Sequence, residues 1–182
     1  MNAYHPQLVM FLSSLSDLPP LQLHSGYSVR TYRPGDDTAW NGIIKASFQK
    51  EYDFAKHISE RDAFKPERVL FVCHDDRPVA TACAWHKSAW GEQTGYLHMV
   101  GVLPSYSGKK LGHIVSLAAL QQMVKEGRKS AVLHTDDYRI PAIVTYLKLG
   151  FHPQMAHENH VQRWRQIAET LGNAEVLKLL PG

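Results

Sequence analysis

The stretch that most limits what this chain can become is a strand, a short turn and a long helix, joined without a break. Tyr96 to Val102 alternates as a strand and ends at Leu103-Pro104-Ser105-Tyr106. Ser107-Gly108-Lys109-Lys110-Leu111-Gly112-His113 then leads straight into the longest helical pattern, Lys109 to Glu126. Leu111, Ile114, Val115, Leu117, Ala118 and Val124 give that helix a broad apolar face, and Gly127 stops it. Backbone N–H groups in a first helical turn lack intrahelical partners and sit at the positive end of the helix dipole, so such a junction is a ready anion site. Here glycines allow close approach and two lysines add charge. Taken alone, the turn reads equally as a plain strand-to-helix loop with solvated lysines. A nucleotide P-loop is excluded, because six residues rather than four separate Gly101 from Gly108 and no Ser or Thr follows Lys109. A dinucleotide fingerprint fails for want of two of its three glycines.

The flanks say what kind of domain carries this junction. Leu18-Pro19-Pro20 sets off an N-terminal extension (1–25) from a domain over 26–182, and the apolar Leu8 to Leu12 is expected to pack on that domain as a short helix or strand. Tyr27 to Tyr32 alternates, and Asp36 or Asp37 is expected to cap a helix bearing Trp40, Ile43, Ile44 and Phe48. A second helical stretch is expected from about Asp53 to Phe64, before Pro66. Val69 to Cys73 and Val79 to Trp85 read as a hairpin turning at the acidic pair Asp75-Asp76. After the long helix come a strand (Ala131 to His134), a short helix from Pro141 ended by Gly150, a last strand from Phe151, and an amphipathic C-terminal helix carrying Trp164. The Thr135-Asp136-Asp137 run is expected to form a turn and helix cap. The order implies a mixed α/β domain: a central twisted mixed sheet of about six to seven strands with helices on both faces.

Val102-x-Pro104-x-x-x-Gly108-Lys109-x-Leu111-Gly112 resembles the cofactor-binding motif of the GNAT superfamily of acetyltransferases, Gln/Arg-x-x-Gly-x-Gly/Ala after a Val-x-Pro strand end. Ser107 stands where Gln or Arg is usual, and Lys110 where the first motif glycine is usual. Fitting Lys110 there calls for an ordinary backbone conformation, since a left-handed one would be strained. About thirty residues on, Ala142-x-x-x-Tyr146-x-x-x-Gly150-Phe151 resembles the family's second signature, in the right order and with a helix and a strand between. The resemblance covers roughly Gly26 to Pro153 and implies the GNAT fold.

It also implies an activity: transfer of an acetyl group from acetyl-CoA to a primary amine of a small molecule or peptide, directly in a ternary complex. Ser107, Gly108, Lys109, Lys110, Leu111, Gly112 and His113 would hold the CoA pyrophosphate. Backbone groups of Val100 and Val102 would hold the pantetheine and thioester. Gly101 between them either marks a bulge or is a packing glycine. Arg139, where the family commonly has Asn, either contacts the cofactor or is a surface residue at a helix end. Tyr146 matches the tyrosine that acts as general acid beside the CoA sulfur, although an aromatic at helical spacing is otherwise core. Alternation puts Tyr96, His98, Val100 and Val102 on one strand face. Many members carry a glutamate base near the place of Tyr96, but no carboxylate lies between Gly95 and Pro104. His98 is the best replacement, with an unperturbed pKa of about 6.5. A core histidine, or a water relay to a carboxylate elsewhere, are the other readings. Trp85, His86, Trp90 and the helices from Trp40 to Phe64 line the acceptor side by analogy, or serve as core or dimer contacts.

Rival readings are a CoA-binding regulatory module without turnover, and transfer of a longer acyl group or to a non-amine acceptor. A net charge of +3 suits an anionic cofactor but argues against nucleic acid, since no basic run accompanies it. Cys73 and Cys83 read as buried free thiols in a reducing cytoplasm. The apolar Leu8 to Leu12 is too short to span a membrane and lacks a basic leader or cleavage site. Eleven dispersed histidines with no His-x-x-x-His pair argue against a metal. Trp164 would support either self-packing or a homodimer.

Overall fold

The computed structural model describes residues 5–180. They form two compact units, one over 14–131 and one of 5–13 with 132–180. In chain order the first element is β1 (Leu8–Leu12), in the smaller unit.

The larger unit begins with β2 (Tyr27–Thr31) and α1 (Asp37–Phe48). Asp36 precedes the helix but does not cap it. Its carboxylate takes two bonds from Arg30, at 2.6 and 2.9 Å, and one from the Arg33 N–H at 2.6 Å. Partial burial would raise the Asp36 pKa; these bonds outweigh it and hold the carboxyl below its usual range. The expected cap is therefore spent on an ion pair tying the β2 strand to the turn.

The expected helix from Asp53 to Phe64 shrinks to a single wide turn, Ala55–Ser59. After it the chain bends, with Phe64 N–H bonded to the Arg61 carbonyl, so that Phe54 and Phe64 both reach Tyr32, at ring separations of 4.9 and 5.9 Å. Aromatic packing outcompetes helix continuation here.

β3 (Val69–His74) and β4 (Arg77–Trp85) make the expected hairpin. Asp75 and Asp76 both adopt positive φ, 47° and 64°, which matches the twist of a two-residue hairpin turn. β5 (Thr94–Val102) adds antiparallel to β4, giving the order β2-β3-β4-β5, and α2 (Leu111–Lys125) follows.

The β4–β5 register sets the site geometry. Trp85 pairs with Tyr96, Ala84 with Leu97 and Cys83 with His98, but Thr81 pairs with Gly101 and Ala80 with Val102. One extra residue is thus accommodated in β5 at Met99-Val100, where Met99 has φ 51°. This is a β-bulge with a methionine in the left-handed position usually given to glycine. Paired residues share a face, so Tyr96, His98 and Gly101 lie on one side with Thr81, Cys83 and Trp85, and Leu97 and Val102 lie on the other. α1 packs on the first side: a Cβ on Gly101 would sit 2.9 Å from Ser47 Oγ and 3.1 Å from Ile44 Cδ1. α2 packs on the second, where a Cβ on Gly95 would overlap Met123. Helices therefore cover both faces, as expected.

In the smaller unit the strands run β6-β1-β7, with β6 (Ser130–Thr135) entering from the larger unit and β7 (His152–Gln154) antiparallel to β1. The apolar stretch from Leu8 to Leu12 is thus a strand. Between β6 and β7 lies α3 (Ile140–Lys148), and α4 (His160–Leu171) and α5 (Ala174–Lys178) complete the chain. Asp136 and Asp137 form the expected turn, with Arg139 N–H bonded to the Asp136 carbonyl, but neither caps α3. Asp137 instead pairs with Arg163 of α4, which also donates to the Pro6 carbonyl at 2.8 Å. That bond from Arg163, opposed by partial burial, holds the Asp137 carboxyl below its usual range. Trp164 is 0% exposed, so it is core of this unit and not a surface contact.

Candidate cofactor site and catalytic face

After β5, a tight turn at Pro104–Tyr106 and an extended Ser107 lead to Gly108, with φ 78°. Lys110 follows at φ 59° and ψ 18° and immediately precedes α2. The ordinary conformation expected of Lys110 is therefore not adopted. The lysine takes the left-handed geometry that glycine takes cheaply, because the sharp entry into α2 requires it, at a cost of about 1 kcal/mol.

No side chain caps α2, and its first bond runs from Ile114 N–H to the Lys110 carbonyl. Ser107, Gly108, Lys109 and Lys110 are exposed, with Gly112 and His113 half-buried behind them. Leu111 is buried, so its contribution is an anchor for the helix and a backbone N–H. A Cβ on Gly112 would meet only Val102 Cγ2, at an ordinary 3.6 Å. Nothing in the protein's own packing requires glycine there. Lys109 lies 5.8 Å from the Tyr106 ring, and the Tyr106 hydroxyl is 3.3 Å from His74 Nδ1.

On β5, the bulge overturns the expectation that Tyr96, His98, Val100 and Val102 share a face. His98 and Tyr96 lie on the α1 side and Val102 on the α2 side. Gly101 is a packing glycine under α1, and the bulge sits beside it at Met99-Val100. Val102 N–H donates to Ser47 Oγ at 2.8 Å, and Ser47 Oγ donates back to the Val102 carbonyl at 2.9 Å. Both polar groups expected to be free at Val102 are engaged.

His98 is half-buried between two rings, 5.2 Å from Tyr96 and 6.1 Å from Trp85. Lys87 Nζ stands 3.8 Å over the Tyr96 ring, and partial burial lowers its pKa. Also in the larger unit, a cavity of about 200 Å³ is lined by Asp37 and Asn41 of α1 with Tyr32, Asp53, Phe54 and Ser59.

Tyr146 and Arg139 belong to the smaller unit, where Arg139 precedes α3 and Tyr146 lies on it. Tyr146 is buried against Phe151, ring centroids 6.1 Å apart, and its N–H···O partner across the helix end is Phe151 N–H, donating to the Tyr146 carbonyl. Burial pushes the Tyr146 phenol up to about 12, with the Arg139 charge acting the other way. Tyr146 is therefore neutral across the physiological range.

Residues 38–151, more than half of the chain, match the model of the acetyltransferase (GNAT) family. The chain belongs to the GNAT family. This GNAT chain is 30% identical over 163 residues to a mycothiol acetyltransferase of Frankia casuarinae, covering 80% of itself and 47% of that protein. A mycothiol acetyltransferase of Streptomyces griseus is 29% identical over 143 residues, 74% of this chain and 46% of the other. The chain spans about half the length of the curated relatives it matches. Among solved structures, a GCN5-related N-acetyltransferase from Sphaerobacter thermophilus superposes with TM-score 0.64 at 20% identity, over 83% of this chain and 50% of that one. One from Kribbella flavida gives 0.60 at 22% identity, over 82% and 55%. These likenesses show the fold.

Within the larger unit, Val100, Val102 and the turn from Ser107 to His113 follow one another along the end of β5 and into α2, whereas His98 lies on the opposite face of β5 from Val102. Sequence reasoning missed Ser47, Met99 and Lys87. A serine among the apolar residues of α1 was the available signal for the first. Met99 carries no signal, because left-handed bulge positions announce themselves in sequence only when they are glycine. Among the described residues no cluster of three or more His, Cys, Asp or Glu has metal-binding geometry, and no helix is long and apolar enough to cross a membrane.

Proposed function

We propose that this chain transfers an acetyl group from acetyl-CoA to a primary amine of a small molecule or peptide, by direct attack in a ternary complex. The observation that carries the reading is the uncapped N-terminus of α2 behind Gly108 and Lys110, in a chain of the GNAT family. There Ser107, Gly108, Lys109, Lys110, Leu111, Gly112 and His113 surround the cofactor pyrophosphate with backbone N–H groups and two cationic side chains. Val100 and Val102 flank the arm that carries the thioester, and Arg139 supplies a further charge to the cofactor.

The incoming amine is an alkylammonium with a pKa of about 10, so it must shed a proton before attack. His98, held between Trp85 and Tyr96, takes that proton. The nitrogen adds to the thioester carbonyl, the C–S bond breaks with its electron pair leaving on sulfur, and the second proton that the nitrogen sheds as the amide forms ends on that sulfur. Tyr146, still protonated because its pKa is about 12, donates a hydrogen bond to the departing thiolate. Asp37 and Asp53 in the cavity beside α1 suit a cationic acceptor. The buried free thiols Cys73 and Cys83 suit a reducing, cytoplasmic setting. A second reading, a CoA-binding module without turnover, is motivated by Ser107 and Lys110 in the motif and by the β5 strand without a carboxylate.

Thiol release from acetyl-CoA against a panel of amines tests the proposal. Turnover with one class of amine is expected, with Tyr146→Phe and His98→Ala each lowering kcat about a hundredfold. CoA binding without turnover on any acceptor would favour the module, and full activity of His98→Ala across pH would remove His98 as base.

A further inference from the structure

Ser47 of α1 and Val102 of β5 are joined by hydrogen bonds in both directions. In the antiparallel ladder with β4, Leu103 N–H donates to the Val79 carbonyl at 2.9 Å. Hydrogen-bonding residues alternate along such a ladder, so the N–H and C=O of Val102, paired with Ala80, point away from β4. A hydroxyl both donates and accepts, and Ser47 uses one oxygen for both groups. It thus stands in for a neighbouring strand. Gly101 is what lets α1 come so near, since a Cβ there would sit 2.9 Å from Ser47 Oγ.

We propose that Ser47 is a displaceable placeholder: its hydroxyl fills the Val102 N–H and C=O until successive amides of the cofactor's pantetheine arm take them as an added strand would. The inference rests on the acetyl-CoA reading and adds a competing group to that site. Displacement is cheap, because a serine side chain moves between staggered rotamers and, within a helix, has a ready acceptor in the carbonyl four residues back, here that of Ile43. The Ser47 hydroxyl satisfies both groups, and the cofactor binds at the cost of breaking both bonds.

Calorimetric titration of wild type and Ser47→Ala, with CoA and with an adenosine bisphosphate lacking the pantetheine arm, tests this. Ser47→Ala should bind CoA about three- to tenfold more tightly, the worth of one neutral hydrogen bond. The nucleotide should bind both proteins equally, which also reports that the variant is folded. Equal or weaker CoA binding by Ser47→Ala, with nucleotide binding intact, would overturn the inference and leave the cofactor reading standing. A matching change in nucleotide affinity would also overturn it, as a global effect. If neither ligand bound wild type, the cofactor reading itself would fall, and the placeholder with it.

Discussion

Lys110 concentrates the tension of the candidate site in one residue. A side chain with a Cβ is held at φ 59°, where glycine is usual, and Gly108, two residues before it, is held at φ 78°. Strain of this kind persists only where surrounding structure over-determines it. Here the fixed end of β5 and the start of α2 do so. Lys110→Gly should therefore stabilise the protein by about 1 kcal/mol in chemical denaturation, in spite of the greater flexibility of glycine in the unfolded chain. A destabilised variant would mean that Lys110 earns its conformation through a contact of its own. The departure from the motif was visible in the sequence; its conformation was not. Tyr146 shows the same division. Its motif position was legible, but the burial that raises its pKa to about 12 is a tertiary fact.

At the scale of elements, the hairpin, the long helix, the turn before it and the short helix from Ile140 were legible because each has a local cause. Asp75-Asp76 accepts positive φ, Gly127 and Gly150 stop helices, and Pro141 starts one. What escaped depends on competition between distant groups. Asp36 and Asp137 have cap-forming side chains but are drawn off by Arg30 and Arg163. The helix expected after Asp53 gives way to packing around Tyr32. The bulge at Met99-Val100 puts Gly101 on the face of Tyr96 and His98 and Val102 on the other, which defeated the alternation argument for Val102. If α1 truly rests on the shifted strand, Gly101→Ala should cost about 1–3 kcal/mol by overpacking against Ser47, Ile43 and Ile44. Unchanged thermal stability of that variant would contradict the register.

For the molecule as a whole, the family assignment rests on a match over residues 38–151, and the proposed cofactor contacts start from the turn before α2 in the larger unit. A net charge of +3 is modest, so attraction of an anionic cofactor must come from local arrangement, not from the overall field. Gly112 isolates that arrangement. It lies in a regular helix, has room for a methyl group, and alanine favours helix over glycine. Gly112→Ala should keep or slightly raise stability while its methyl group holds phosphate oxygens away from the backbone N–H groups. Calorimetric titration of CoA into wild type and Gly112→Ala is the most direct measurement. Wild type should bind CoA, and the variant should bind it at least about tenfold more weakly, since a charge-assisted hydrogen bond is worth about 1.5–3 kcal/mol. Equal affinity in the two, or no heat of binding with wild type, would contradict the cofactor reading.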